Sequence, residues 1–89
     1  MRINVRAFAS FREILGREIV LDLNEGATVQ DLLQVLAEAN KEFKEAAFDR
    51  SGAVRDYVLL MKNKKRIDSH HEELCAGDEV AIFPPVAGG

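Results

Sequence analysis

The stretch Thr28-Val29-Gln30-Asp31-Leu32-Leu33-Gln34-Val35-Leu36 decides how the chain is read, because here the apolar residues change from alternate positions to every third or fourth. Val29, Leu32, Leu33, Leu36 and, further on, Phe43 fall on one stripe of a helix. Thr28 is a natural N-cap, and Asp31 puts negative charge at the positive end of the helix dipole. The far end stays open at this level. Asn40 can stop the helix or residues 43–48 can extend it, and Asp49-Arg50-Ser51-Gly52 is a turn in either case.

A helix with one apolar stripe needs a surface to cover, and the flanking segments supply it. Upstream, residues 18–23 alternate, with Ile19, Leu21 and Leu23 on one face and the turn Asn24-Glu25-Gly26 behind them. Residues 2–8 alternate as well, with Ile3, Val5 and Ala7 facing one way and Arg2, Asn4 and Arg6 the other. Between these strands, Ser10-Phe11-Arg12-Glu13 has the spacing of a capping box and predicts a single helical turn that stops at Gly16.

Downstream, residues 57–62 read as a strand that is apolar on both faces: Val58 and Leu60 on one, Tyr57, Leu59 and Met61 on the other. Asn63-Lys64-Lys65 is a polar turn, a short strand is expected near Arg66-Ile67, and Ala76-Gly77-Asp78 turns into a last strand over residues 79–83. Pro84 and Pro85 end it, since proline cannot donate to a sheet ladder. The order strand, strand, helix, strand, short strand, strand places the chain in the α+β class. It is that of a β-grasp (ubiquitin-like) fold, a mixed sheet of four to five strands with one main helix across one face. Such domains serve many purposes, so fold alone assigns no function.

At 89 residues the chain is long enough for one core and too short for a deep enclosed cavity, which argues against a self-contained enzyme. The expected division is a folded domain over residues 1–83 and a flexible tail over 84–89. With 47% hydrophobic and 30% charged residues it has the composition of an ordinary folded protein. A net charge of -3 gives no field to attract phosphate backbones, so nucleic acid is not an expected partner. The longest unbroken apolar run, Tyr57-Val58-Leu59-Leu60-Met61, is far short of a membrane span. A single cysteine, Cys75, and a polar N-terminal segment without signal-peptide character point to the cytoplasm.

The sequence closes on Phe83-Pro84-Pro85-Val86-Ala87-Gly88-Gly89. A functionless end is the plain alternative, but three features combine into a device. The prolines hold the chain extended as it leaves the last strand. Six residues beyond Phe83 reach ~20 Å from the domain. Gly88 and Gly89, without β-carbons, can pass a channel too narrow for side chains and leave the terminal carbonyl open to attack. That carboxyl, with an ordinary pKa near ~3.5, is an anion and a poor electrophile at neutral pH, so activation must come from outside. The tail holds no Ser, Cys, His or Lys, and the chain has no phosphate-binding loop.

The run Gly77-Asp78-Glu79-Val80-Ala81-Ile82-Phe83-Pro84-Pro85-Val86-Ala87-Gly88-Gly89 resembles the C-terminal signature of the MoaD family, the small, sulfur-donating subunits of molybdopterin synthase. It is similar also to the ending of the archaeal small ubiquitin-like modifiers. Phe8-Ala9-Ser10-Phe11-Arg12-Glu13-Ile14-Leu15-Gly16 and Ala27-Thr28-Val29-Gln30-Asp31-Leu32-Leu33 extend the likeness. One departure is Lys64, where the family often has glycine after the asparagine of this turn.

The resemblance implies a covalent co-substrate with no bound cofactor. A ubiquitin-activating-type enzyme would adenylate Gly89 with ATP, and a sulfurtransferase or cysteine desulfurase would convert the adenylate to a thiocarboxylate. A large molybdopterin synthase subunit would receive the tail, with Gly88 clearing its path. The alternatives that share the tail are conjugation through Gly89 to lysines of target proteins, and sulfur donation to tRNA thiolation or thiamin synthesis.

With strand alternation kept in register, Phe8, Leu59, Met61, Ala81 and Phe83 share the sheet face opposite the helix, with Arg6 beside them. This face, continued by Pro84 and Pro85, is the expected partner-docking patch. Lys62, Lys64, Lys65 and Arg66 read as a solvated turn, and the adjacent His70 and His71 as a polar loop rather than metal ligands. Cys75 reads as a small semi-buried hydrophobe. No carboxylate pair, catalytic triad or zinc spacing is present, and no metal site is expected.

Overall fold

The computed structural model describes residues 1–84. Thr28 starts the main helix by a reciprocal capping box. Its hydroxyl accepts the Asp31 N–H at 3.2 Å, and the Asp31 carboxylate accepts the Thr28 N–H at 2.9 Å. The helix that follows, Val29–Ala39, buries the predicted stripe of Val29, Leu32, Leu33 and Leu36 and adds Ala37. Asn40 then does both things its sequence position allowed. It ends this helix in an extended conformation, and its side chain accepts the Phe43 N–H at 3.0 Å to cap a second helix, Lys41–Ala47. Its amide nitrogen also donates to the Ile14 carbonyl at 3.2 Å, so one residue joins three segments.

In chain order the elements are β1 (Arg2–Ala7), α1 (Ala9–Leu15), β2 (Glu18–Asp22), α2 (Val29–Ala39), α3 (Lys41–Ala47), β3 (Leu59–Lys62), β4 (Lys65–Arg66) and β5 (Glu79–Phe83). The strands form one sheet in the order β2-β1-β5-β3-β4, with β1 parallel to β5 and the other pairs antiparallel. This mixed five-stranded sheet is the β-grasp fold. Ile3, Val5 and Ala7 of β1, Leu60 of β3, and Val80 and Ile82 of β5 point to the helical side and are buried. Phe11 of α1 meets Phe43 of α3 with ring centroids 5.4 Å apart, closing that side of the core. Each fully buried aliphatic side chain contributes about 1.5–3 kcal/mol, so this layer carries most of the stability.

Four local expectations are corrected. The capping box at Ser10 does not form: α1 begins at Ala9, the extended Phe8 is its N-cap, and no side chain caps it. The Phe8 carbonyl accepts the Phe11 and Arg12 N–H groups at 3.1 and 3.4 Å, so backbone alone closes the first turn and Ser10 already lies inside the helix. The third strand is shorter than residues 57–62. Tyr57 stands outside it, its hydroxyl donating to the Ala46 carbonyl at 3.4 Å. The fourth strand takes Lys65 from the expected turn. Cys75 is exposed, not semi-buried, because it lies in the turn that leads to β5, where its backbone N–H is tied to the Asp78 carboxylate at 2.7 Å.

Candidate functional site

The last strand lies in the middle of the sheet, hydrogen-bonded to β1 on one side and β3 on the other. The tail therefore leaves from the central strand of the sheet, paired along both edges. Its start is set by two strand-end contacts. The Phe8 N–H donates to the Ile82 carbonyl at 3.2 Å, and the rings of Phe8 and Phe83 stack with centroids 4.4 Å apart and planes within 8°. Beyond Phe83, Pro84 has no N–H with which to continue the ladder.

Sheet register builds the rest of the face. Leu59 pairs with Phe83 and Met61 with Ala81 across β3 and β5, while Arg6 pairs with Ala81 across β1 and β5. Leu60 and Ile82 are buried on the helical side, so Leu59, Met61, Ala81 and Phe83 point to the open side. Phe8, Met61, Ala81, Phe83 and Pro84 are half-buried and Leu59 is 37% exposed. The structure thus gathers Phe8, Leu59, Met61, Phe83 and Pro84 at the place where the tail departs. Pro85, Gly88 and Gly89 lie outside the described residues.

Two features of this face escape a reading by period alone. The Arg12 guanidinium lies 5.7 Å from the Phe8 ring centroid, and the Arg6 guanidinium lies at the same distance. Arg12 reaches Phe8 because the helix starts two residues earlier than its capping pattern suggests, with Phe8 as the N-cap four positions before Arg12. Arg66 pairs with Met61 across β3 and β4 and so belongs to the open face rather than to a solvated turn. The pairing of Met61 with Arg66 depends on the tight turn at Asn63 and Lys64, both at positive φ.

The opposite end of β5 is held by Asp78. Its carboxylate accepts the Cys75 N–H at 2.7 Å and the Asn63 side-chain amide N–H at 2.9 Å, while the Asn63 side-chain oxygen Oδ1 accepts the Glu79 N–H at 2.9 Å. Burial pushes the Asp78 carboxyl up, but the Cys75 N–H, the Asn63 amide and the Lys62 charge outweigh it and hold it below the ordinary carboxylate range. Lys62 is raised above the ordinary lysine range, chiefly by its hydrogen bond to Glu72. These contacts tie the β3–β4 hairpin, the loop before β5 and β5 itself into one frame. They fix the register on which the open face depends.

What this arrangement can do chemically is limited. The described face brings together apolar side chains and guanidinium groups, with no nucleophile beside a base. It suits recognition rather than bond-making.

Comparison with known proteins agrees. The ThiS family matches residues 5–89. The chain is 37% identical to small archaeal modifier protein 3 of Haloferax volcanii, covering the whole of both chains. It is 36% identical to the molybdopterin synthase sulfur carrier subunit of Escherichia coli, covering 98% of this chain and 99% of that one. Among solved structures, small archaeal modifier protein 1 of Haloferax volcanii superposes with a TM-score of 0.92 at 32% identity over the whole of both chains. With its ubiquitin-like sheet, its central last strand and a match that runs through the closing glycines, the chain belongs to the ThiS family.

Proposed function

We propose that this chain is a sulfur carrier for molybdopterin synthesis and that its working group is the carboxylate of Gly89. The observation that carries the reading is the family match, which continues past the described domain through Gly88 and Gly89. A relative of similar length in Escherichia coli bears the name of the sulfur carrier subunit of molybdopterin synthase. The first step is adenylation: a Gly89 carboxylate oxygen attacks the α-phosphorus of ATP on a ubiquitin-activating-type enzyme, and pyrophosphate leaves. The terminal sulfur of a persulfide on a sulfurtransferase or cysteine desulfurase then attacks the carbonyl carbon and displaces AMP. A second thiol cleaves the resulting S–S bond, leaving a thiocarboxylate on this chain and a disulfide on the sulfur donor.

The domain contributes position. The stacked Phe8 and Phe83 fix where the tail begins, and the face around them docks the partner. The six residues of the tail then span up to ~20 Å to a reaction centre that a partner supplies. The role of the large molybdopterin synthase subunit is to accept the thiocarboxylate and carry out the transfer.

A second reading has its own support, since the 37% identical relative is named a small archaeal modifier protein. There the same adenylate meets a lysine amine instead of a persulfide, and Gly89 ends in an isopeptide bond. Intact-mass analysis of the chain isolated from its own cells, with a Gly89 deletion as control, separates the two. Exchange of one oxygen for sulfur at Gly89 supports the carrier. Conjugates that survive denaturation and thiol reductant support the modifier, and neither product from an intact chain overturns both.

A further inference from the structure

The two edges of the sheet are unlike. One edge is β4, which is two residues long and consists of Lys65 and Arg66. A short basic strand is a poor template for another chain. The other edge is β2, which pairs with β1 in unbroken register from Arg2 opposite Asp22 to Arg6 opposite Glu18. This strand has no proline, glycine, lysine or bulge to blunt it.

Register decides which of its backbone groups are already used. The Leu23 N–H donates to the Met1 carbonyl at 2.8 Å, and the Ala7 N–H donates to the Arg17 carbonyl at 3.1 Å. Such bonds recur at every second residue of an antiparallel pair, so Ile19 and Leu21 bond inward to β1, while Glu18, Val20 and Asp22 turn their N–H and C=O groups outward. No other strand of the described residues lies beside them. The edge is apolar on both faces. Val20 is 58% exposed, more than any other large apolar side chain of the described residues. On the helical side Ile19 and Leu21 are half-buried, whereas Ile3 and Val5 beside them on β1 are fully buried. The helical layer therefore stops short of this edge, and an added strand would meet apolar surface above and below.

Charge selects the occupant. Antiparallel pairing of β2 with a second copy about Val20 would set Glu18 of each chain directly opposite Asp22 of the other, and like charges so placed destabilise a sheet. Within the chain Glu18 lies 3.7 Å from Arg6 and Asp22 lies 3.2 Å from the Met1 amine, yet both carboxylates stay exposed. The charges that repel a second copy match a strand with cations on either side of an apolar residue.

We propose that the free edge of β2 takes up an extended segment of a partner protein, with an apolar residue opposite Val20 and Lys or Arg opposite Glu18 and Asp22. Main-chain bonds supply affinity there, and the flanking charges supply selectivity. The inference does not rest on the sulfur-carrier reading.

The test uses the full chain labelled with nitrogen-15 and a short end-capped peptide whose central valine is flanked at alternate positions by lysine. A counterpart carries glutamate instead. Titration with the lysine peptide to about 1 mM should move the amide signals of Glu18, Val20 and Asp22 and move those of Ile19 and Leu21 less, and the glutamate peptide should bind at least tenfold more weakly. Val20→Pro removes an outward N–H and no bond to β1, so it should fold and weaken the lysine peptide at least tenfold. Glu18→Lys combined with Asp22→Lys should exchange the preference between the peptides. Thermal unfolding checks each variant, and the charge reversal decides the outcome if the proline variant is unstable. Absent shifts, shifts confined to other strands, or equal binding of the two peptides would overturn the proposal. Sedimentation of the chain alone should give a monomer; a dimer lost in Val20→Pro would mean that the edge takes a second copy instead.

Discussion

Along β5, one step of the chain separates two unlike surfaces. Val80 and Ile82 are fully buried on the helical side of the sheet, whereas Ala81 and Phe83, their immediate neighbours, lie half-open beside Leu59, Met61 and three arginines. Both sets are apolar, and composition does not tell them apart. The difference lies in what covers them. Three helices fall on one side of the sheet, and the described residues place no element on the other. Apolar surface on the covered side makes the fold; similar surface on the open side remains available for recognition.

The sharpest break in that comparison is to shorten one residue on each side. Ile82→Ala leaves a cavity in the core and should cost about 3 kcal/mol in urea unfolding, with the m-value unchanged. Phe83→Ala should cost only about 1 kcal/mol, the worth of its stacking on Phe8, while raising the KM for this chain at least tenfold in ATP–pyrophosphate exchange by the proposed adenylating enzyme. Equal stability losses at the two positions would mean the open face is a second core and not a docking surface.

Smaller changes probe what aligns the two sides. Thr28→Ala removes the cap from the helix that covers the sheet and should cost about 1 kcal/mol by the same unfolding measurement, without altering partner affinity. Asp78 gives a pH test of the frame beneath the open face. Its carboxyl is held below its ordinary value, so it adds stability above the ordinary carboxylate pKa. That contribution is lost as pH falls through the lowered folded value. Melting temperature should therefore fall more steeply on acidification in wild type than in Asp78→Asn. The smallest effect is expected at Lys64, which holds a positive φ of 71° at the turn that brings Arg66 beside Met61. Lys64→Gly should relieve this and raise stability by about 0.5 kcal/mol, the strain of the left-handed conformation being partly offset by glycine's greater unfolded freedom.

Periodicity is a local property, and what depends on it was legible. The stripe Val29, Leu32, Leu33, Leu36 and the alternation Ile3, Val5, Ala7 each need only neighbours a few residues away, so the main helix, the first strand and the helix-facing set could be read directly. The open face followed from the same alternation, since a residue that is not buried beneath the helix must point away from it. The closing Gly88-Gly89 is a feature of the sequence alone, since both residues lie outside the described part of the structure.

Errors arose where two local signals competed or where burial depended on distant chain. Ser10 and Glu13 have capping-box spacing, but the extended Phe8 closes α1 first through its own carbonyl. Cys75 resembles a small hydrophobe by type, yet it sits in a turn committed to Asp78. Asn40 was a stop or a continuation by sequence and became a joint, because Ile14 and Phe43 both come within reach of its side chain.

From the residues alone came the helix, the strand faces and the proposal that rests on the closing glycines. Tertiary structure decided that Phe8 and Phe83, from opposite ends of the chain, stack at the end of the last strand, with Arg6, Arg12 and Arg66 on the same side of the sheet. The physical reason is that a side chain's face is set by its neighbours in sequence. Its companions on that face are set by which strands pair, and the parallel union of β1 with β5 is written in no local spacing.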